Sequence, residues 1–480
     1  MLIDADKFFD ENIKESIGCT EPATVALAVS AAFNAVKGRL PNDYLERKLD
    51  LSPRRIRGEI ENITVKTDRG VFKNALQVGI SHKYGLKGIN NAAALGVFCD
   101  PSKNLELFDD LNEEKVLEAA NLLKEGKVSV IPNYEWGELR IEAEVVTKNR
   151  TGIAYILKEH SNIAYIEVDG KPEFEKLETE CGADKLGSLQ QISDFIDIIE
   201  ENLLPEVSGK SAAASIEKAI ITNHKASLIA EKTFSDLRRH SLGLAFRNFV
   251  REGYMGKGCV VLVKEKVSLT VEARMTGFNI KVATCAGSGN MGIVATLPLI
   301  AMALCEFSKK YPNYDVNWES VIEVMREKAP EDWAKLVRAV GLVHLIANYV
   351  SIHSGKLSAS CGCGTKTSVG AAAGIAYYLS SSNDKERVDI IGQAINGVAR
   401  SIFGMICDGG KEGCALKTAA ATGAAMESAL LACRRLDLSH SDGIANADAM
   451  ITLQNIGMIS NAMEDVDRKV IELTIEGITG

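Results

Sequence analysis

The rhythm of apolar and polar positions changes several times along the chain. "PATVALAVSAAFNAV" (residues 22–36) is apolar almost throughout, the texture of a helix buried on all sides, and residues 1 to about 48 read as helical. "GEIENITVKTDRGVFKNALQVGI" (58–80) then alternates on either side of Asp68-Arg69-Gly70, which predicts a β-hairpin turning there. "LNEEKVLEAANLLKEG" predicts a charged amphipathic helix that stops at Gly126. Beyond it, "KVSVIPNY", "ELRIEAEVVTKN", "TGIAYILKEHSN" and "IAYIEVDGK" follow period two between Asn-Arg-Thr-Gly, His-Ser-Asn and Asp-Gly turns, and predict consecutive strands.

From about residue 186 the strand signal nearly vanishes. "SLQQISDFIDIIEENLL" and the Ala-rich run from Ser211 predict helices, with one short strand pair at "CVVLVKEKVSLTVEARM" (259–275). The C-terminal part reads as Ala/Gly-rich helices broken by three glycine loops, "TCAGSGNMG", "SCGCGTKTSVG" and "CDGGKEGC". The expected fold class is α+β: a large Ala/Gly-rich helical domain with an inserted antiparallel-sheet α+β module. The expected divisions are an N-terminal helical segment at 1–48 packing on the catalytic domain, the α+β module at 49–180, and the helical domain at 181–480.

Composition narrows the function classes. With 480 residues, 46% hydrophobic and 25% charged, the chain has ample material for a core. Its net charge of −9 argues against a nucleic-acid partner and suits small-molecule chemistry. "MLIDADKFFDEN" has neither the basic nor the apolar region of a secretory signal, and the longest apolar run, Ile293 to Leu304, is short for a bilayer. The expectation is a cytoplasmic protein with no membrane partner, in which structural disulfides are disfavoured.

The eleven cysteines divide by surroundings. Cys99, Cys259, Cys305 and Cys433 sit in apolar runs and read as small buried hydrophobes, and Cys181 is undecided. Cys19, Cys285, Cys361, Cys363, Cys407 and Cys414 lie beside glycines or helix-start signals. In "SIGCTEPAT", Thr20 reads as the N-cap and Glu21-Pro22 as the first turn, so Cys19 stands just ahead of a helix whose dipole favours a thiolate. A structural thiol is the competing reading. "TCAGSGNMGIVATLP" opens a helix from a glycine turn; it lacks the P-loop lysine and the dinucleotide fingerprint. Its free backbone N–H groups, with Ser288, Gly289 and Asn290, suit a carboxylate, against simple close packing of helices.

"HSGKLSASCGCGTKTSVG" joins His353 to Cys361-Gly-Cys363, and Cys407 and Cys414 follow at a spacing that is not a zinc ribbon's. An inorganic cluster, being wide, gathers thiolates from separated loops. His353 taken alone reads more readily as a satisfied packing or hydrogen-bonding histidine than as a functional one. For "CDGGKEGC" itself a disulfide, a zinc site, a redox switch and an iron–sulfur cluster are all open.

Five strings, "IGCTEPATVALA", "TVKTDRGVFKN", "TCAGSGNMGI", "HSGKLSASCGCG" and "CDGGKEGCALK", together resemble the L-cysteine desulfidase family, which is akin to the alpha chain of iron–sulfur L-serine dehydratases. The resemblance runs from about residue 15 to near the C-terminus. It implies a [4Fe–4S] enzyme, free of pyridoxal phosphate, that eliminates the β-substituent of a small L-amino acid to give pyruvate, ammonia, and sulfide or water. The family's proposed base, the cysteine before "TEP", falls on Cys19. The cluster ligands of its C-D loop fall on Cys407 and Cys414, with the third from the "CGC" segment, Cys363 ahead of Cys361. Lys73 and Asn74 join Ser288, Gly289, Asn290 and His353 as candidate substrate contacts, and residues 181–480 become the cluster-binding catalytic domain. Serine dehydratases have a wider gap in the C-D loop, which leaves cysteine desulfidase as the nearer relative. The alternatives are an L-serine dehydratase and a non-catalytic iron–sulfur or zinc redox sensor. Helix-rich surfaces with many small residues are compatible with a homodimer.

Overall fold

The computed structural model describes residues 3–176, 183–203, 211–237, 240–355, 357–381, 384–436 and 441–479; Cys181 lies outside them. The fold is α+β with a large helical part. Its strands are β1 (Glu15–Ile17), β2 (Ile60–Asp68), β3 (Gly79–Ser81), β4 (Leu86–Lys87), β5 (Val128–Asn133), β6 (Arg140–Thr147), β7 (Thr151–Leu157), β8 (Ile163–Val168), β9 (Lys171–Glu175) and β10 (Lys281–Ala283).

Six strands form one sheet in the order β5-β2-β6-β7-β8-β9. Alternation does what period two predicts: on β6, Ile141, Ala143, Val145 and Thr147 point inward. The sheet is not wholly antiparallel, because β5 pairs parallel to β2. A parallel neighbour needs a crossover connection, and the helices between Asp68 and Val128 supply it.

The expected hairpin at Asp68 is also corrected. β2 ends there, and the Asp68 carboxylate accepts from the backbone N–H groups of Gly70 (2.8 Å) and Val71 (3.1 Å), capping a helix over Arg69–Ala75. The strand pair expected at 259–275 is a single helix, Cys259–Met275. Its Val residues carried a β signal, but residues 265–275 are buried on all sides, and packing overrides propensity there.

Two hydrophobic cores divide the molecule. The helix Thr20–Val36, buried at every position, lies on the sheet rather than on the helical body. It approaches so closely that a Cβ on Gly152 of β7 would stand 2.3 Å from the Ala32 carbonyl. The second core lies among the helices Cys259–Met275, Gly289–Lys310, Pro330–Ser354, Thr367–Leu379 and Cys414–Cys433. Gly289–Lys310 and Pro330–Ser354 are long and apolar enough to cross a membrane, yet 83% of each apolar window is buried inside the fold. Cys259 and Cys305 are joined by a disulfide, contrary to the expectation that both are free packing residues.

Cys19 belongs to the helical core, while residues from Ala23 onward belong to the sheet core, so the start of the Thr20–Val36 helix stands at the junction of the two.

Candidate active site

Three local arrangements bring distant residues to that junction. β1 pairs antiparallel with β10, Glu15 opposite Ala283, which holds Cys19 beside the 284–290 turn. Ser360 bridges Ile406, while Cys361 N–H donates to the Met405 carbonyl (2.9 Å) and Cys407 N–H to that of Ala359 (2.7 Å). The "CGC" and "CDGG" loops are therefore zipped together by backbone bonds. Gly409, at φ +94°, and Gly410 press on the Arg69–Ala75 helix end: a Cβ on either would lie 2.7 Å from the Lys73 carbonyl or 2.6 Å from that of Asn74.

The result is a cavity whose wall includes Cys19, Glu21, Asn74, Arg274, Ser288 and Asn290 on one part and Cys361, Cys363, Cys407 and Cys414 on another. Cys19, not Thr20, is the N-cap residue, and its side chain does not cap the helix. Its Sγ donates to Glu21 Oε2 at 2.9 Å, where the Thr20 hydroxyl also donates at 3.0 Å; Asn74 Nδ2 donates to Glu21 Oε1 at 2.9 Å. Burial, then the Glu21 charge, pushes the Cys19 thiol well above its ordinary range, with Arg274 opposing. The dipole-stabilised thiolate expected from sequence is thus a protonated thiol at rest. Burial works to raise the Glu21 carboxyl as well, but the His160 charge and the bonds from Cys19 and Asn74 hold it below its usual value.

Arg274 is 1% exposed. It donates through Nη1 to Asn290 Oδ1 (2.5 Å) and through Nη2 to the Gly18 carbonyl, while its Nε has no hydrogen-bond partner among the described residues. Gly289 sits behind it, where a Cβ would run into the guanidinium at 2.4 Å. Ser288 caps the Gly289–Lys310 helix, accepting from Met291 N–H at 3.5 Å.

Among the thiols, Cys361 and Cys363 stand 3.6 Å apart, and their shared hydrogen bond lowers the first and raises the second. Burial, then the Cys361 and Cys407 charges, pushes Cys414 up to about 12. Among the described residues no three His, Cys, Asp or Glu side chains converge as a single metal ion requires. Four thiols around one cavity, with no imidazole among them, suit instead the donor chemistry of a wider iron–sulfur core.

Three expected contacts do not line the cavity: Gly289, which lies behind Arg274, His353 and Lys73. His353, at the end of Pro330–Ser354, packs against Tyr349 and Gly457, away from the cavity lining. Lys73 does not line the cavity either: its ammonium pairs with Asp467, both side chains 1% exposed, and donates to the Ser358 carbonyl at 3.4 Å. Burial pulls Lys73 down, but Cys407 and Asp467 together raise it. Asp467→Asn strands that buried ammonium, so a loss of about 3–5 kcal/mol is expected. Urea unfolding measures it, and an unchanged midpoint would mean that Asp467 does not hold Lys73. Cys285 is buried outside the cavity.

Glu21 and Arg274 were not singled out from sequence. For Glu21 the signal was present: it is the one charge in an otherwise apolar helix, and such charges are kept buried only when paired or used; Arg274 is one of five charged residues in its helix and gives no such signal.

The family described as Serine dehydratase alpha chain matches residues 102–472. Relatives include UPF0597 proteins of Desulfatibacillum aliphaticivorans (29% identical, covering 97% of this chain and 96% of the relative), Desulfotalea psychrophila (29%, 97% and 98%) and Clostridioides difficile (27%, 96% and 96%). No solved structure matches. The family match takes in the Arg274 helix, the 284–290 turn and four of the five cavity cysteines, with Cys19, Glu21 and Asn74 lying before it, and the chain belongs to the serine dehydratase alpha chain family.

Proposed function

We propose that the protein is a β-eliminating lyase that converts L-cysteine to pyruvate, ammonia and sulfide, using a [4Fe–4S] cluster and no pyridoxal phosphate. The observation that carries this reading is the shared cavity: a thiol–carboxylate pair and a buried arginine facing four further thiols. Cys407 and Cys414 would hold the cluster with one of Cys363 and Cys361. The chemistry such a group supplies when bound is Lewis acidity toward the β-substituent, from an iron that lacks a protein ligand.

The chain's own residues supply the rest. Arg274, with Nε unspent, and the Asn290 amide that it orients suit the substrate carboxylate, with Ser288 at the adjoining helix start. Cys19 takes the Cα proton, and the buried setting keeps water from competing for it. The aminoacrylate formed then hydrolyses in solution to pyruvate and ammonia. Arg274→Lys replaces the planar fork by a point charge, and loss of a charge-assisted bond of about 1.5–3 kcal/mol corresponds to a KM about ten- to a hundredfold higher. Steady-state kinetics measures this; an unchanged KM would remove Arg274 as the carboxylate anchor.

The second reading is L-serine dehydratase, favoured by the family match. Comparison of kcat/KM for L-cysteine and L-serine decides between them. A higher value for L-cysteine supports the desulfidase, and a higher value for L-serine replaces it with the dehydratase.

A further inference from the structure

A base must be unprotonated when substrate arrives, yet Cys19 rests as a thiol hydrogen-bonded to a buried carboxylate. Two further donors fix that carboxylate: Thr20 Oγ1 on Oε2, and Asn74 Nδ2 on Oε1. Both oxygens are therefore held in place, and Oε2 is held 2.9 Å from the sulfur. A carboxylate 5% exposed at the start of a buried helix has no packing use that Gln or Leu would not serve at lower cost in desolvation.

We infer that Glu21 is the proton acceptor for the Cys19 thiol, a positioning residue that acts on the substrate through Cys19. The inference rests on the proposed elimination and specifies how its base is made. The proton on Sγ passes to Oε2 of Glu21, leaving a thiolate. The thiolate takes the Cα proton, the C–H electron pair becomes the Cα=Cβ bond, and the Cβ–S bond breaks with its pair on the departing hydrosulfide. The proton on Glu21 is then delivered to that hydrosulfide. Cys19 ends protonated and Glu21 ionised, as they began, and no external acid or base is consumed.

The charged groups acting on the pair are few. Arg274, from the Cys259–Met275 helix, favours both anions, and His160, from the β7–β8 turn, favours ionised Glu21. Asn74, from the Arg69–Ala75 helix, is neutral and only orients.

Glu21→Gln separates this role from two simpler ones, because the same substitution pushes two readouts in opposite directions. Removing the carboxylate charge makes Cys19 easier to ionise, so iodoacetamide should label the Cys19 peptide at lower pH than in the wild type. A fall of one unit in the thiol's pKa gives about tenfold faster labelling below it. If Cys19 thiolate were sufficient alone, kcat/KM would hold or rise on the acid side. If Glu21 receives the proton, kcat falls about a hundredfold or more across the profile. The expected result on anaerobically reconstituted enzyme is faster labelling with lost turnover. Turnover within about threefold of wild type would overturn the inference, as would labelling no faster than wild type.

Should the Gln variant lose its visible absorbance, Glu21→Asp decides. It keeps the charge, so measurable turnover with a pH profile shaped like the wild type's is expected, and no turnover in an intact Asp variant contradicts a proton-accepting role. A wild-type enzyme that makes no pyruvate would defeat the proposed elimination itself, a different outcome from an active wild type with an unaffected Gln variant.

Discussion

Replacement of Cys19 by Ala is expected to abolish pyruvate formation while the brown absorbance of the reconstituted protein stays at wild-type strength. The argument starts from position. Cys19 ends β1's extension and opens the Thr20–Val36 helix at the meeting of the two cores, where β1–β10 pairing holds it against the 284–290 turn. It lines the same cavity as Cys361, Cys363, Cys407 and Cys414, but its Sγ is committed to Glu21 rather than to them. Its removal therefore takes the proton-accepting group and leaves the thiols untouched. Removing a positioned general base costs about 10²–10⁴ in rate. Full activity in this variant would mean that another group takes the Cα proton. Loss of absorbance together with activity would move Cys19 from the base to the cluster.

Cys407→Ser and Cys414→Ser are expected to lose both properties together, activity and absorbance falling to background. Cys407 donates weakly to Asn74 Oδ1 at 3.5 Å and Cys414 to the Gly409 carbonyl at 3.6 Å, so neither thiol has a strong hydrogen bond that explains its place. The loop between them is held by other means. Asp408 pairs with Lys411 and Lys417, and the glycines lie on the Lys73 and Asn74 carbonyls. A serine in either place leaves that scaffold intact while removing a soft donor, so the loss reads on ligation rather than on folding. Iron content and visible spectra measure it, and retention of a full cluster in either variant would remove that residue from the ligand set. The same pair of measurements on Cys361→Ser and Cys363→Ser identifies the third ligand.

Much of this was legible in the chain, for identifiable reasons. The strands β6 and β7 follow from alternation, because each has one buried face. The Cys259–Met275 helix was misread because burial on every side erases the helical period, leaving only the valines to suggest a strand. At Asp68 a turn signal and a helix cap look alike, since the same carboxylate–amide bonds serve both. The thiols of the site were visible through their glycine neighbours. Glu21 and Arg274 were not: the lone charge of Glu21 takes on a role only once Asn74 is seen to reach it from another helix, and Arg274 is one of five charges in its helix until Asn290 is seen beside it. The motifs around His353 and Lys73 suggest substrate contact, whereas His353 packs against Gly457 and Lys73 pairs with Asp467.

The most direct test of the central claim is a pyruvate assay on protein purified and reconstituted with iron and sulfide without oxygen, given L-cysteine and L-serine in turn. The account predicts a brown protein that releases pyruvate and ammonia in equal amounts from at least one of them, with sulfide in the same amount from L-cysteine. A brown, fully reconstituted protein that releases pyruvate from neither amino acid would contradict it.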